Sequence, residues 1–476
     1  MPFEAPSLAA APASTAVRYH FSGIAGAGVS PLARLMRARG HPVQGSDRAL
    51  DQGLAVETAE LLRREGIAVL PHDGSAITPG LDQFVYSTAV EAQTPEMAAA
   101  RALGIPLVSR PAMLAELVNA GRPGVAISGT SGKSTVTGMV AWIAECAGLP
   151  ATVIGGAPRA GEGIAGGLLA GPDGGPVVAE ACESDGTLVG YRPALGVIHN
   201  VSRDHTDLDS LREQFTAFAR QCGVLLVNAG CPEAAALGRP LGARTYGTPE
   251  GADARLTVAS TGPDRARGTL RGGAGPICLD VPQPGLHNLE NGAAAALVAL
   301  ELGIPADEIE GALARFPGLA RRFQVVGVTA SGIRVVDDYA HNPAKIAAAV
   351  ITAQAGCERL LAVFQPHGFG PARFMRPDLA ELLPWLLRAR DRFCYAPIFY
   401  AGGTVARDVS AEMLAADLPP RLGCARAADH DAVVAWIAAE ARPGDTVLLM
   451  GARDPRLPAL ARRVYQTLEG RGAMSR

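Results

Sequence analysis

The chain has 476 residues, 48% hydrophobic and 19% charged, with a formal net charge of −3. At roughly 100–200 residues per domain this length implies several domains with well-filled cores. The balanced charge argues against nucleic-acid or anionic-membrane binding, and no apolar run reaches the roughly 18 residues of a membrane span. The eight cysteines form no C-x-x-C pair and read as reduced thiols of a cytoplasmic protein, not as a disulfide framework or zinc site.

Residues 1–15, rich in Ala, Pro and Ser, read as a disordered lead-in. Arg18–Phe21 then reads as a strand, and the turn from Gly23 to Gly28 opens a helix through Leu35 and Arg39. A second strand starts at Val43 and ends at Gly45-Ser46-Asp47. Asn119–Gly124 has the composition of a linker. Val125–Ser128 is a buried-type strand that runs into a glycine loop, and a helix follows through Met139, Ile143 and Cys146. Val177–Glu180 and Leu195–Asn200 read as further strands. Residues 250–282, rich in Gly and Arg, read as short antiparallel strands, and Pro284–Asn288 leads into an Ala-rich helix. Beyond Phe316-Pro317-Gly318, strands at Ile333–Val336, Leu360–Phe364 and Thr446–Met450 alternate with helices. Such alternation predicts an α/β fold of parallel sheets with helices on both faces.

Only two lysines occur among the 43 basic residues. One, Lys133, stands in Gly129-Thr130-Ser131-Gly132-Lys133-Ser134-Thr135, where a strand feeds a glycine loop and a helix follows. Backbone N–H groups and the helix dipole of such a loop favour phosphate. Lys133 would reach the β/γ-phosphates and the Ser134 hydroxyl would hold Mg²⁺. As a loop residue Lys133 is expected to be exposed and to support no core. The alternative is a plain glycine turn with an incidental lysine. The acidic run Glu180–Asp185 and the segment Asn200–Asp207 follow predicted parallel strands, where ligands bind in open α/β sheets. They supply candidate metal ligands or simply solvated acidic loops. Asp47 lies where a dinucleotide fold places a ribose-binding acid, so an NAD site is a rival reading of the first domain. A nucleotide-driven switch that hydrolyses ATP without ligation is a third reading.

In order along the chain, the loop Gly129–Thr135, Glu180-Ala181-Cys182-Glu183-Ser184-Asp185, Asn200 with Asp204-His205, Gly285-Leu286-His287-Asn288-Leu289-Glu290-Asn291 and Asp338-Tyr339-Ala340-His341 resemble the motifs of the Mur ligases. The resemblance runs from His20 to about Leu468. It implies a three-domain α/β architecture: a Rossmann-like domain for the UDP substrate (16–120), a central P-loop ATPase domain (121–318) and a C-terminal Rossmann-like domain for the amino acid (319–476). It also implies an ATP-dependent ligase of peptidoglycan synthesis that joins an amino acid, L-alanine in the most similar branch, to the carboxylate of UDP-N-acetylmuramate. The reaction passes through an acyl phosphate and releases ADP and phosphate. ATP and Mg²⁺ are the implied cofactors, and a UDP-sugar and an amino acid the partners of a monomer or homodimer.

The same resemblance implies residue roles. Gly129, Thr130, Ser131, Gly132, Lys133, Ser134 and Thr135 would hold the nucleotide phosphates, and His287, Asn291 and Arg322 would contact ATP. Ser134, Glu180 and His205 would be metal ligands. Tyr339 and His341 would line the amine cleft, with His341 orienting the amine or accepting its proton. Gly26, Gly28, Asp47, His72 and Ser87 would contact the UDP substrate. The carbamoylated lysine of many Mur ligases has no counterpart, because no lysine lies between Lys133 and Lys345. The chain departs from the family where Gly368 and Pro371 replace arginines that grip substrate carboxylates, a task that suits a planar guanidinium. Arg373 is retained. Ser131 replaces a histidine and Cys182 an aspartate. These changes imply an alternative: a ligase of the same family with another amine donor or acceptor, outside core peptidoglycan synthesis.

Overall fold

The computed structural model describes residues 16–88, 90–163, 167–183, 186–202, 208–273, 275–400 and 406–474. The chain forms two compact units, one ending at Met113 and the other spanning Leu114–Arg476.

In the first unit five parallel strands lie in the order Ala68–Leu70, Val43–Ser46, Tyr19–Ser22, Gln83–Tyr86, Leu107–Ser109. Strand order reverses beside Tyr19–Ser22, and the glycine turn leaves the carboxyl end of that strand, where such sheets bind ligands. The helix after the turn, Ser30–Ala38, buries Leu32, Ala33, Leu35 and Met36, as its amphipathic spacing requires. Asp47 holds the turn in place: one carboxylate oxygen accepts from Ala25 N at 3.0 Å and the other caps a short helix through Ala49 N at 2.8 Å.

Beneath this turn lies a buried polar cluster gathered from four separate segments. Glu96 accepts hydrogen bonds from Ser22 Oγ (2.7 Å) and Ser46 Oγ, and faces His72 Nδ1 (2.9 Å) and His20 Nε2 (3.3 Å). Glu96, His20, Ser22 and Ser46 are all fully buried. Burial alone would raise the Glu96 carboxyl above its ordinary 4.5, but hydrogen bonds from His20, Ser46 and Ser22 outweigh it and hold the value below. Folding therefore favours the ionised form. That stabilisation is complete above the ordinary carboxylate range and is lost as pH falls through the lowered folded value. Glu96→Gln is expected to lose about 1.5–3 kcal/mol of unfolding free energy at neutral pH. Urea titrations over a pH series should also show that this variant loses less stability than the parent as pH drops below about 4.

The second unit holds two sheets. The larger has ten strands, and its central strand, Gly124–Ser128, is buried along its whole length between parallel neighbours Val177–Glu180 and Leu195–Ile198. This explains its unbroken apolar run. Beyond Val224–Asn228 and Arg244–Gly247 the sheet ends in an antiparallel meander, Ala254–Thr261, Ala266–Gly272 and Gly275–Val281, as the Gly- and Arg-rich composition predicted. The helices Lys133–Cys146 and Leu286–Glu301 share its main core, with Val136, Met139 and Ile143 packed among Ala293–Ala299. Alanines let these helices sit close to each other and to the sheet.

The smaller sheet runs Gln324–Val328, Arg334–Asp338, Thr446–Gly451, Leu360–Gln365, Arg392–Tyr395, Ala425–Arg426, parallel except for its first strand. Helices Pro343–Ala355 and Phe369–Leu386 cover one face, and His430–Glu440 and Leu457–Met474 the other. All eight cysteines are free. Among the described residues no helix is long and apolar enough to cross a membrane.

Candidate active site

The glycine loop follows the central strand, and Asn200 clamps it from the next strand. Asn200 Oδ1 accepts from Thr130 Oγ1 (2.9 Å) and Ser131 N (2.8 Å), and its Nδ2 donates to Ser131 O (3.1 Å). Gly132 has φ 83° and starts the helix Lys133–Cys146, which carries no side-chain cap. Its first-turn N–H groups are therefore available to an anion. A Cβ at Gly132 would stand 2.6 Å from Asn291 Oδ1, so only glycine fits.

Lys133 is 8% exposed, which corrects the expectation of an exposed loop lysine. Its Nζ donates to Gly129 O and to Glu183 Oε2 at 2.8 Å. Burial opposes its charge, but the carboxylate of Glu183, with Cys182 and Glu180, more than offsets this and raises its value above the ordinary 10.5. Beside it, Ser134 Oγ donates to Glu180 Oε2 (2.9 Å), which also accepts from Gly156 N (3.0 Å). Thr135 is buried in the first turn.

From the smaller sheet, Arg322 donates Nη2–H to Ser134 Oγ at 3.2 Å. Its neighbours Arg321 and Phe323 have φ of 59° and 49°. This tight turn is held by Asp338 Oδ2, which accepts from Phe323 N (2.6 Å), and by Arg321 O, which accepts from Tyr339 N (2.7 Å). Both guanidinium groups flank the Tyr339 ring, at 5.0 Å for Arg321 and 4.6 Å for Arg322. Tyr339 O is 2.9 Å from His341 Nδ1. A carbonyl only accepts, so Nδ1 carries the proton and, in the neutral ring, Nε2 keeps its lone pair. The structure thus brings Lys133, Ser134, Glu180 and Arg322 together, with Tyr339 stacked on Arg322 and His341 next to Tyr339. His287 and Asn291 lie at the start of the helix Leu286–Glu301.

Other expected site residues stand elsewhere. Arg373 is paired with Asp408, and the nearby Arg376 with Asp417. Gly368 has φ 154°, which L side chains rarely adopt. Pro371 lies in the first turn of the helix Phe369–Leu386, where its missing N–H leaves no helical bond unmade. The backbone therefore suits the glycine and the proline that stand at these positions. In the first unit Gly26 O accepts from Val29 N and Ser30 N, a Cβ at Gly28 would touch Arg110, Ser87 N donates to Ser22 O, and His72 joins the Glu96 cluster. His205, with Asp204, Asp207, Ser184 and Asp185, lies outside the described residues. Among the described residues no three His, Cys, Asp or Glu side chains gather as a metal set.

The chain is similar to the UDP-N-acetylmuramate–L-alanine ligase of Kineococcus radiotolerans, with 38% identity over 457 residues, 92% of this chain and 93% of that one. Three family models match in sequence: the Mur ligase family catalytic domain (18–122), the Mur ligase middle domain (127–299) and the Mur ligase glutamate ligase domain (321–453). The chain belongs to the Mur ligase family. An Arthrobacter UDP-N-acetylmuramate–L-alanine ligase is 40% identical over 77% of this Mur ligase and 79% of its own length. Among solved structures, UDP-N-acetylmuramate–alanine ligase MurC of Thermotoga maritima is 25% identical and superimposes with a TM-score of 0.77 over 96% of this chain and all of its own. A murein peptide ligase from Psychrobacter arcticus, at 22% identity and TM-score 0.67 over 95% of this chain and 99% of its own, shares the fold. Members of this family are ATP-dependent ligases.

Proposed function

We propose that this Mur ligase joins L-alanine to the carboxylate of UDP-N-acetylmuramate at the expense of ATP, in the cytoplasmic stage of peptidoglycan synthesis. Residues 16–120 take the UDP substrate, 121–318 the nucleotide and 319–476 the amino acid. The observation that carries the reading is the convergence of Lys133, Ser134, Glu180 and Arg322 at an uncapped helix start, in a chain similar over nine-tenths of its length to ligases of that name. The relatives carry a single donor in their names, so L-alanine is preferred over another amine.

A carboxylate is a poor electrophile. Transfer of the γ-phosphoryl group turns it into an acyl phosphate, and the amine then displaces phosphate to form the amide. Phosphoryl transfer needs positioning and charge neutralisation above all. The loop from Gly129 to Thr135 supplies backbone N–H groups, and Lys133 and Arg322 supply positive charge. ATP fits this set, because the helix start is uncapped and Asn291 Oδ1 is buried with no hydrogen-bond partner among the described residues. Mg²⁺ fits the two oxygen donors of Ser134 and Glu180, 2.9 Å apart, with His205 as a further ligand. Bound there it would supply charge neutralisation at the phosphates. On the amine side, His341 accepts the amine proton at Nε2 while Tyr339 lines the approach.

The donor is tested by steady-state kinetics with UDP-N-acetylmuramate, ATP and a panel of amino acids. L-Alanine is expected to have the highest kcat/KM, with a KM in the roughly micromolar-to-millimolar range of ordinary enzymes. A different amine that outperforms it would reverse the donor assignment and leave the ligase assignment standing.

A further inference from the structure

In the second unit the segment Gly318–Arg322 leads from the helices of the larger sheet into the smaller sheet. It is clamped to the loop Gly156–Glu162 by contacts that the mechanism above does not use. Ala160 N donates to Gly318 O (3.0 Å) and Ala320 N donates to Pro158 O (2.8 Å), so Arg159 and Leu319 pair across an antiparallel bridge. The partly buried Arg159 guanidinium lies between two acids: it pairs with Glu145, and with Glu162 at 2.6 Å. It also stands 5.2 Å from the centre of the Trp142 ring, within the range of a cation–π contact. Trp142 and Glu145 are three positions apart on the helix Lys133–Cys146, and so share one face of it.

The same helix starts at the phosphate loop. Leu319 is buried against it: a Cβ at Gly138 would stand 2.6 Å from Leu319 Cδ2, so glycine lets the linker lie this close. Three residues further on, Arg322 donates Nη2–H to Ser134 Oγ at 3.2 Å. Gly138 and Ser134 are four residues apart, about 6 Å along the axis, so the linker runs back along the helix to its first turn. A second path closes the ring. Gly156 N, at the start of the clamped loop, donates to Glu180 Oε2, which also accepts from Ser134 Oγ. Trp142 Nε1 donates to Ala312 O (2.8 Å), which ties the helix Ala306–Leu313, just ahead of the linker, to the same anchor.

We propose that Arg159 is a positioning residue for the ligation reaction: it pins the linker to the helix Lys133–Cys146 and thereby sets where Arg322 stands over the phosphate loop. The proposal rests on the reading of this region as the ATP site. Arg322 has a long, flexible side chain, so its placement depends on where its backbone starts. That start is fixed by the bridge at Leu319, and the bridge is held from the loop side by a guanidinium with three partners. A planar guanidinium can serve two carboxylates and lie against a ring at once, whereas an ammonium has no flat face to offer. Without Arg159 the loop and linker keep their two backbone bonds and lose their anchor on the helix. Arg322 then spends less time in place, and its charge is missing when the phosphoryl group transfers. Such a loss falls on kcat more than on nucleotide binding, because the contact counts most in the transition state.

The test compares the full-length parent with Arg159→Ala, Arg159→Lys, Arg322→Ala and the variant carrying both Arg159→Ala and Arg322→Ala. ADP release is measured with UDP-N-acetylmuramate and L-alanine at saturation, beside equilibrium binding of ADP with Mg²⁺ and thermal unfolding of each variant. Arg159→Ala is expected to lower kcat by roughly 10–100-fold, as a misplacement of about an ångström can, while its affinity for ADP stays near the parent's. Arg159→Lys should recover part of the loss. The double variant should be no slower than Arg322→Ala alone, because Arg159 acts only through Arg322 and the two losses do not add. Glu162→Gln, which removes the charge of one partly exposed partner, should lower kcat by less and have no effect when combined with Arg322→Ala. It serves if Arg159→Ala does not fold. A parent-like kcat in folded Arg159→Ala, or in Glu162→Gln where that variant stands in, overturns the proposal. So does a double variant in which the two losses multiply, since Arg159 would then act on the fold or the loop without Arg322. If the parent itself releases no ADP with these substrates, the ligase reading fails and takes this proposal with it.

Discussion

Lys133→Ala is expected to cut ATP-dependent ligation by roughly 10²–10³, the usual loss when a preorganised charge contact at the reacting group is removed. Because Lys133 is buried against Glu183, the same change leaves a buried carboxylate without its ion-pair partner. Stability should therefore fall too, by about 3–5 kcal/mol, the cost of breaking a buried pair from one side. A second variant separates the effects. Lys133→Ala combined with Glu183→Ala removes both charges, so it should recover much of the stability and none of the activity. Denaturant unfolding and a coupled ADP assay on the parent and both variants check this. Near-normal turnover in Lys133→Ala would remove the phosphate loop from the mechanism. Activity regained in the double variant would mean that the single change acts through the fold.

Glu180→Gln is expected to raise the Mg²⁺ concentration needed for half-maximal activity by roughly tenfold or more, a loss typical even of groups that only support a metal ligand. Glutamine keeps an oxygen that can accept from Ser134 Oγ and Gly156 N, so the local fold should survive while the charge is lost. Activity measured across a Mg²⁺ titration, beside thermal unfolding, tests the assignment. A titration curve that overlays the parent's would show that Glu180 serves the loop and not the cation.

The strand, glycine turn and helix around Gly129–Thr135 were legible in the sequence because they are contiguous. A doubly buried strand must be apolar, its turn needs glycine, and the helix start needs no cap when an anion is to sit there. The antiparallel meander after residue 250 was legible from its short Gly- and Arg-rich runs. Less legible were features whose partners lie far apart in the chain. Lys133 was expected to be exposed because its loop position says nothing of Glu183, fifty positions on, which closes over it. Asp47 matches a ribose-binding acid in position, yet both of its oxygens are engaged by Ala25 N and Ala49 N, bonds that depend on how the turn folds back. The Glu96 cluster draws on residues 20, 22, 46 and 72, and no local pattern announces it. His199 continues an apolar strand and reads as core until Tyr246 Oη is seen beside its Nδ1. The ion pair of Arg373 spans 35 positions to Asp408, so that arginine looked uncommitted in the sequence.

The most direct measurement of the central claim is ADP release by the purified chain with ATP and Mg²⁺, with UDP-N-acetylmuramate and L-alanine each supplied or withheld, and the mass of the UDP product recorded. The account predicts rapid ADP release only when both are present, with one amide-linked alanine gained per ADP formed. ADP released at the same rate without either substrate, or a nicotinamide absorbance change in place of it, would contradict the account.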